Sequence, residues 1–125
     1  MLYVELEPGP SSTTKGPFEF LILAGAKLAL PDGSSLADLT GGLWQTEGAG
    51  YGQLAIGQLV EVQFEDGQRR SVGHGPFERL VIDGMHLLAS GRSTPLARLD
   101  DGALIDELGQ KWSAAMITPS VSAHG

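Results

Sequence analysis

The chain has 125 residues, 18 of them glycine, no cysteine and a formal net charge of −7. That length suits one domain, and the acidity argues against general nucleic-acid binding, where phosphates call for Lys and Arg. The lack of cysteine excludes a disulfide framework and a thiolate zinc site. No apolar run approaches a membrane span, and Met1-Leu2-Tyr3-Val4-Glu5 lacks the basic and apolar regions of a signal peptide. A cytoplasmic protein with no membrane partner is expected.

Leu2, Val4 and Leu6 alternate with Tyr3, Glu5 and Glu7, the two-residue period of a half-buried strand. Pro8-Gly9-Pro10 and the following Ser-Ser-Thr-Thr read as a loop. Phe18 to Leu23 is a short apolar run with Gly-Pro before it and Gly after it, which favours a buried central strand with proline at its first position. Ala26 to Leu30 is the return strand. Pro31-Asp32-Gly33 closes the next turn and Leu36 to Leu39 forms a short strand. After Gly41-Gly42, strands are predicted at Leu43 to Glu47 and Tyr51 to Ile56. The glycine-rich Gly48-Ala49-Gly50-Tyr51-Gly52 lacks the lysine and helix start of a phosphate cradle, so it reads as a bend.

The pattern then starts again. Gly16-Pro-Phe-Glu-Phe-Leu-Ile-Leu-Ala-Gly25 and Gly75-Pro-Phe-Glu-Arg-Leu-Val-Ile-Asp-Gly84 agree at six of ten positions. Upstream, Leu2 to Glu7 matches Val60 to Glu65; downstream, Leu28 matches Leu87, Leu36 to Leu39 matches Leu96 to Leu99, and Gly42 matches Gly102. With a one-residue slip, Tyr51 and Ile56 match Trp112 and Ile117. Two copies of one unit, 1–57 and 58–117, are therefore expected in a single compact domain, with 118–125 as a disordered tail. Each copy alone would bury too little surface, so the two should pack together about a pseudo-twofold axis. Asp83-Gly84 is a hairpin signal. Ala103 to Ile117 has two readings. It fits strands by analogy with the first copy, or a helix near 103–116 that Gly109 would interrupt. The expected fold is all-β: two pseudo-symmetric repeats of short antiparallel strands packed as a compact double barrel or sandwich, with α+β as the alternative.

Differences between the copies point to function. All five arginines, Arg69, Arg70, Arg79, Arg92 and Arg98, lie in the second copy. Arg79 stands where the first copy has Phe20, so it needs either exposure or an acidic partner, with Glu61, Glu78 and Asp83 as candidates. Its planar fork also suits a carboxylate or other anion. His74 and His86 match Lys15 and Lys27, positions already suited to an exposed basic side chain. A metal site would need His74, His86 and Glu78 to converge, and nothing in their spacing requires it. Trp44 and Trp112 fit a small β core with the indole N–H at its edge; Tyr51 is a candidate for a binding surface.

No nucleophile elbow, P-loop or dinucleotide fingerprint occurs. The leading expectation is a non-catalytic binding or protein-interaction module, an acidic accessory or inhibitor protein acting on a larger, unknown protein partner. Its contact residues would come from Arg69, Arg70, Arg79, His86, Arg92, Arg98 and Tyr51, with no cofactor. One alternative is an anion- or sugar-binding protein with a pocket between the repeats lined by Trp44, Tyr51 or Trp112. Another is a small enzyme using Glu19, Glu78 and His86. Paired units with edge strands also admit a homodimer.

Overall fold

The computed structural model describes residues 1–7 and 13–120, and every regular element in them is a strand. The strands are β1 (Leu2–Glu7), β2 (Thr13–Phe18), β3 (Leu21–Ala24), β4 (Lys27–Ala29), β5 (Ser35–Thr40), β6 (Leu43–Thr46), β7 (Ala49–Tyr51), β8 (Gln53–Asp66), β9 (Arg69–Arg70), β10 (His74–Asp83), β11 (His86–Ala89), β12 (Ala97–Asp100), β13 (Ala103–Asp106), β14 (Lys111–Trp112) and β15 (Ala114–Pro119). They form one sheet with the order β14-β13-β12-β11-β10-β8-β15-β3-β4-β5-β6-β7; β1 carries β2 and pairs with β8, and β9 hangs on β8. The sheet folds back so that β14 and β6 both pack against β8. Alternating inward side chains from both halves meet in one buried cluster that includes Leu2, Val4, Leu6, Trp44, Phe64, Leu80, Ile82 and Ile117. Burying each such side chain contributes about 1.5–3 kcal/mol.

β8 holds the sheet together. The expected end of the first copy and start of the second are a single 14-residue strand, with Gln58 at φ 67 marking the join. Its first part pairs with β1 and β10, and its second part with β15 and β10. Residues that match in the sequence meet matching partners. Val4 opposes Ile56 and Leu6 opposes Leu54, while Val62 opposes Ile117 and Phe64 opposes Ala115. Likewise Leu80 opposes Ile56, and Leu21 opposes Ile117. Each half thus lends its central strand to the closing strand of the other.

The repeated Gly-Pro is not at a strand's first position. β2 begins at Thr13 and β10 at His74, so Pro17 and Pro76 lie inside strands. They are tolerated there because the ladders slip at that point, between Leu2 and Val4 in one half and between His74 and Phe77 in the other. Glycine is needed before them. A Cβ on Gly16, at φ +136, would sit 2.8 Å from the Leu2 carbonyl oxygen. One on Gly75, at φ +118, would sit 2.9 Å from that of Val60, the residue matching Leu2.

Several expected boundaries move. The run Phe18 to Leu23 breaks at Glu19-Phe20, whereas its counterpart lies within the continuous β10. Glu47 has φ 50 and belongs to a turn, so β6 ends at Thr46. Thr13 and Thr14 are strand residues, and the rest of the predicted loop, 8–12, lies outside the described residues. Thr118 and Pro119 belong to β15, and Ser120 N donates to the Leu59 carbonyl; residues 121–125 of the expected tail lie outside the described residues. The helical alternative for 103–116 is overturned. That segment forms β13, β14 and the start of β15. Gly109, at φ +83, reverses the chain, and Leu108, required on the helix's buried side, is 80% exposed.

Candidate functional site

Alternation along β10 to β13 sends Val81, His86, Leu88, Arg98 and Ile105 to the outer face of the second half, while Leu80, Leu87, Leu99 and Leu104 go inward. The ladder aligns Asp83, His86, Arg98, Ile105 and Lys111 in one cross-strand row. A groove of about 520 Å³ opens along that row, lined by His86, Thr94, Pro95, Ala97, Arg98, Ile105, Asp106, Glu107 and Leu108. A second cleft of about 410 Å³ is lined by Gln53, Arg79, Val81, Leu88, Ala89 and Ser90. His86 and Leu88 are two apart on β11, so the two clefts belong to one sheet face.

The arginines are placed on this half but not in one site, and each has a carboxylate partner. Arg98 Nη1 lies 3.0 Å from Asp100 Oδ2. Arg92 pairs with Glu107 at the groove rim. Arg79 Nη2 reaches over β8 to Glu7 Oε1 at 3.3 Å, which corrects the expected choice among Glu61, Glu78 and Asp83. β1 and β10 flank β8 at this point, and the nearer Asp83 accepts from Gln53 Nε2. Arg70 Nε lies 3.4 Å from Glu65 Oε1. Arg69 Nη2 lies 3.3 Å from Asp66 and also donates to the Lys111 carbonyl, while its Cζ sits 3.9 Å from the Trp112 ring centre. Arg69 thereby caps an indole whose ring stacks on Phe64 at 6.1 Å. Tyr51 stands on β7 opposite Trp44, half-buried in the other half. The structure therefore brings His86 and Arg98 together, with Arg92 at the rim and Arg79 in the adjoining cleft. Arg69, Arg70 and Tyr51 lie elsewhere.

Asp106 shapes the groove from within. Its Oδ1 accepts from the backbone N–H groups of Leu108 and Gln110, and its Oδ2 accepts from Trp112 Nε1, all at 2.9 Å. Burial pushes this carboxyl up, but the three hydrogen bonds and the nearby His74 outweigh it and hold it below its ordinary value. The loop that displays Leu108 is thus fixed by an acid whose two oxygens are both engaged. Asp32, on the first half's turn, is also lowered, by the Ser34 hydroxyl and backbone N–H.

The groove sits where the halves diverge. Leu28 opposes Ala37, nine residues on, but Leu87 opposes Ala97, ten residues on. Trp44 opposes Tyr51, seven residues on, but Leu104 opposes Trp112, eight residues on. Both loops that wall the groove are one residue longer than their counterparts. Thr94, Pro95, Ile105 and Leu108 were missed as candidates in the sequence. Their signal was the slip between copies and Ile105 standing where the first half has Gln45.

Trp44 and Trp112 are core residues, and none of the principal clefts is lined by them or by Tyr51. Among the described residues no group of three or more His, Cys, Asp or Glu is placed to hold a metal ion. No hydrogen bond among the described residues joins Glu19, Glu78 and His86. No helix of the described residues is long and apolar enough to cross a membrane. The chain matches no family model, no curated protein and no solved structure.

Proposed function

We propose that the chain is a non-catalytic protein-interaction module, an accessory or inhibitor protein that grips a larger partner with the outer face of β10 to β13. The observation that carries this reading is the asymmetry between the halves. If the halves are two uses of one scaffold, only the second has two lengthened loops around a groove with an exposed apolar tip at Leu108. Apolar centres rimmed by arginine are common in contact surfaces. Matched registers and a shared core support treating the chain as one domain of two related units, 1–57 and 58–117. The proposal extends to a cytoplasmic setting, with which a cysteine-free chain agrees.

The test is a crosslinking capture from host lysate with three baits: the wild-type chain, an Ile105→Glu/Leu108→Glu variant, and an Ala49→Glu control on the first half. One stoichiometric protein held by the wild type and the control but lost by the groove variant is the expected result. Equal capture by all three folded baits would sink the proposal.

A second reading, a binder of small anions, is favoured by the groove's volume, which lies in the usual range for ligand pockets.

A further inference from the structure

On the outer face of the first half, Lys27 directly opposes Asp38 in the ladder between β4 and β5. The same ladder position in the second half puts His86 opposite Arg98. An acid–base pair has become a pair of basic side chains. Directly opposed residues hold their Cβ atoms about 5 Å apart, close enough for both side chains to reach one ligand group. The neighbouring carboxylates do not fill the gap between them. Asp83, opposite His86 on its other side, accepts from Gln53, while Asp100 engages only Nη1 of Arg98. Glu107 pairs with Arg92, and both oxygens of Asp106 face the indole and loop amides. The basic pair lines the groove together with Thr94, and Pro95, Ala97, Ile105 and Leu108 add apolar lining beside the engaged Asp106 and Glu107.

We infer that His86, Arg98 and Thr94 form a carboxylate-recognition site, and that the groove takes a short acidic segment of the partner, a Glu or Asp side chain with an apolar neighbour. The assignment rests on the protein-interaction reading above and supplies the chemistry of the partner. The incoming carboxylate lies between the two basic groups and accepts from the Arg98 fork. The flanking apolar side chain covers Ile105 and Leu108. The row of His86, Arg98 and Ile105 runs across three strands, so the groove suits a segment laid along it.

The experiment is an amide-shift NMR titration of the full ¹⁵N-labelled chain with acetyl-Leu-Glu-Leu-amide, acetyl-Leu-Gln-Leu-amide and octanoate, repeated with Arg98→Gln and His86→Gln. The expected result is saturable shifts at residues 86, 98 and 105 with the Glu peptide. Its binding should be about fivefold tighter than that of the Gln peptide, the size of one exposed charge pair. Arg98→Gln abolishes the difference. Equal binding of the two peptides, or no shift at those residues while both variants keep the wild-type fold, overturns the site. Arg98-dependent binding of octanoate with no binding of either peptide keeps the carboxylate site but overturns the peptide segment as its occupant. The lysate capture does not depend on a carboxylate, so it still reports separately on the interaction reading.

Discussion

Each half buries one indole, and the two are used differently. Trp44 is fully buried on β6, opposite Tyr51; Trp112 is 4% exposed on β14, opposite Leu104. Leu39 opposes Trp44 in one half and Leu99 opposes Leu104 in the other, so the same layer of the hairpins is filled with the large ring on different strands. The polar edges diverge further. Trp44 Nε1 leaves its own half and donates to the Gly84 carbonyl, at the β10–β11 turn, at 2.9 Å. Trp112 Nε1 stays local and donates to Asp106. The first indole ties the halves together. The second fixes the loop that walls the groove.

The largest effect should follow from breaking the tie. Trp44→Ala is expected to destabilise the chain by about 3–5 kcal/mol through the cavity it leaves, and Trp44→Phe by roughly 1 kcal/mol through the orphaned Gly84 carbonyl. Urea melts followed by circular dichroism would read both. A single cooperative transition should persist, and a loss confined to the first half would show that Trp44 does not couple the halves.

Asp106→Ala comes next, at about 1–2 kcal/mol, kept modest because the carboxylate is partly exposed. Its pH dependence has a definite sign. The folded carboxyl is held below its ordinary value, so its contribution is complete above that value, 3.8, and fades as acid protonates it. The gap between wild type and variant should therefore be wide at neutral pH and close in strong acid. A gap that widened on acidification would contradict the hydrogen-bond assignment. Arg69→Ala is smaller, about 0.5–1 kcal/mol from its contact with the Trp112 face, and tryptophan emission should report the uncapped ring.

Much of this architecture could be read from the chain. The paired ten-residue segments, the alternation of Leu2, Val4 and Leu6 and the Asp83-Gly84 turn each record a local rule, and strands form in all three places, although the bounds around the two Gly-Pro pairs differ from those expected. What could not be read depends on the third dimension. The need for glycine at 16 and 75 comes from a carbonyl on another strand, Leu2 or Val60. The partner of Arg79 is 72 residues away. The ambiguity of 103–117 arose because Leu104, Leu108 and Trp112 fit helical spacing, whereas Asp106 binding the loop amides decides for a hairpin. The groove escaped because its lining comes from β11 to β13 and two loops. Of the candidate arginines only Arg98 lines it.

The smallest expected effect is the one that most sharpens the contrast between the halves. Arg98 divides its guanidinium between Asp100 at 3.0 Å and the open groove, and both side chains are about half exposed, at 55% and 52%. Such a pair contributes little to stability, so Asp100→Asn should move the melt by no more than about 0.5 kcal/mol. It should nevertheless tighten the Glu peptide by about two- to threefold, because the internal carboxylate no longer competes for the fork. Asp38→Asn provides the control. Asp38 opposes Lys27 at the matching ladder position, and there no lengthened loops build a groove. If the two substitutions changed peptide affinity alike, the effect would belong to net charge, since each removes one negative charge from an acidic chain. If only Asp100→Asn acts, recognition depends on the local arrangement of His86 and Arg98, and the substitution of an acid–base pair by a basic pair is what separates the binding half from the scaffold half.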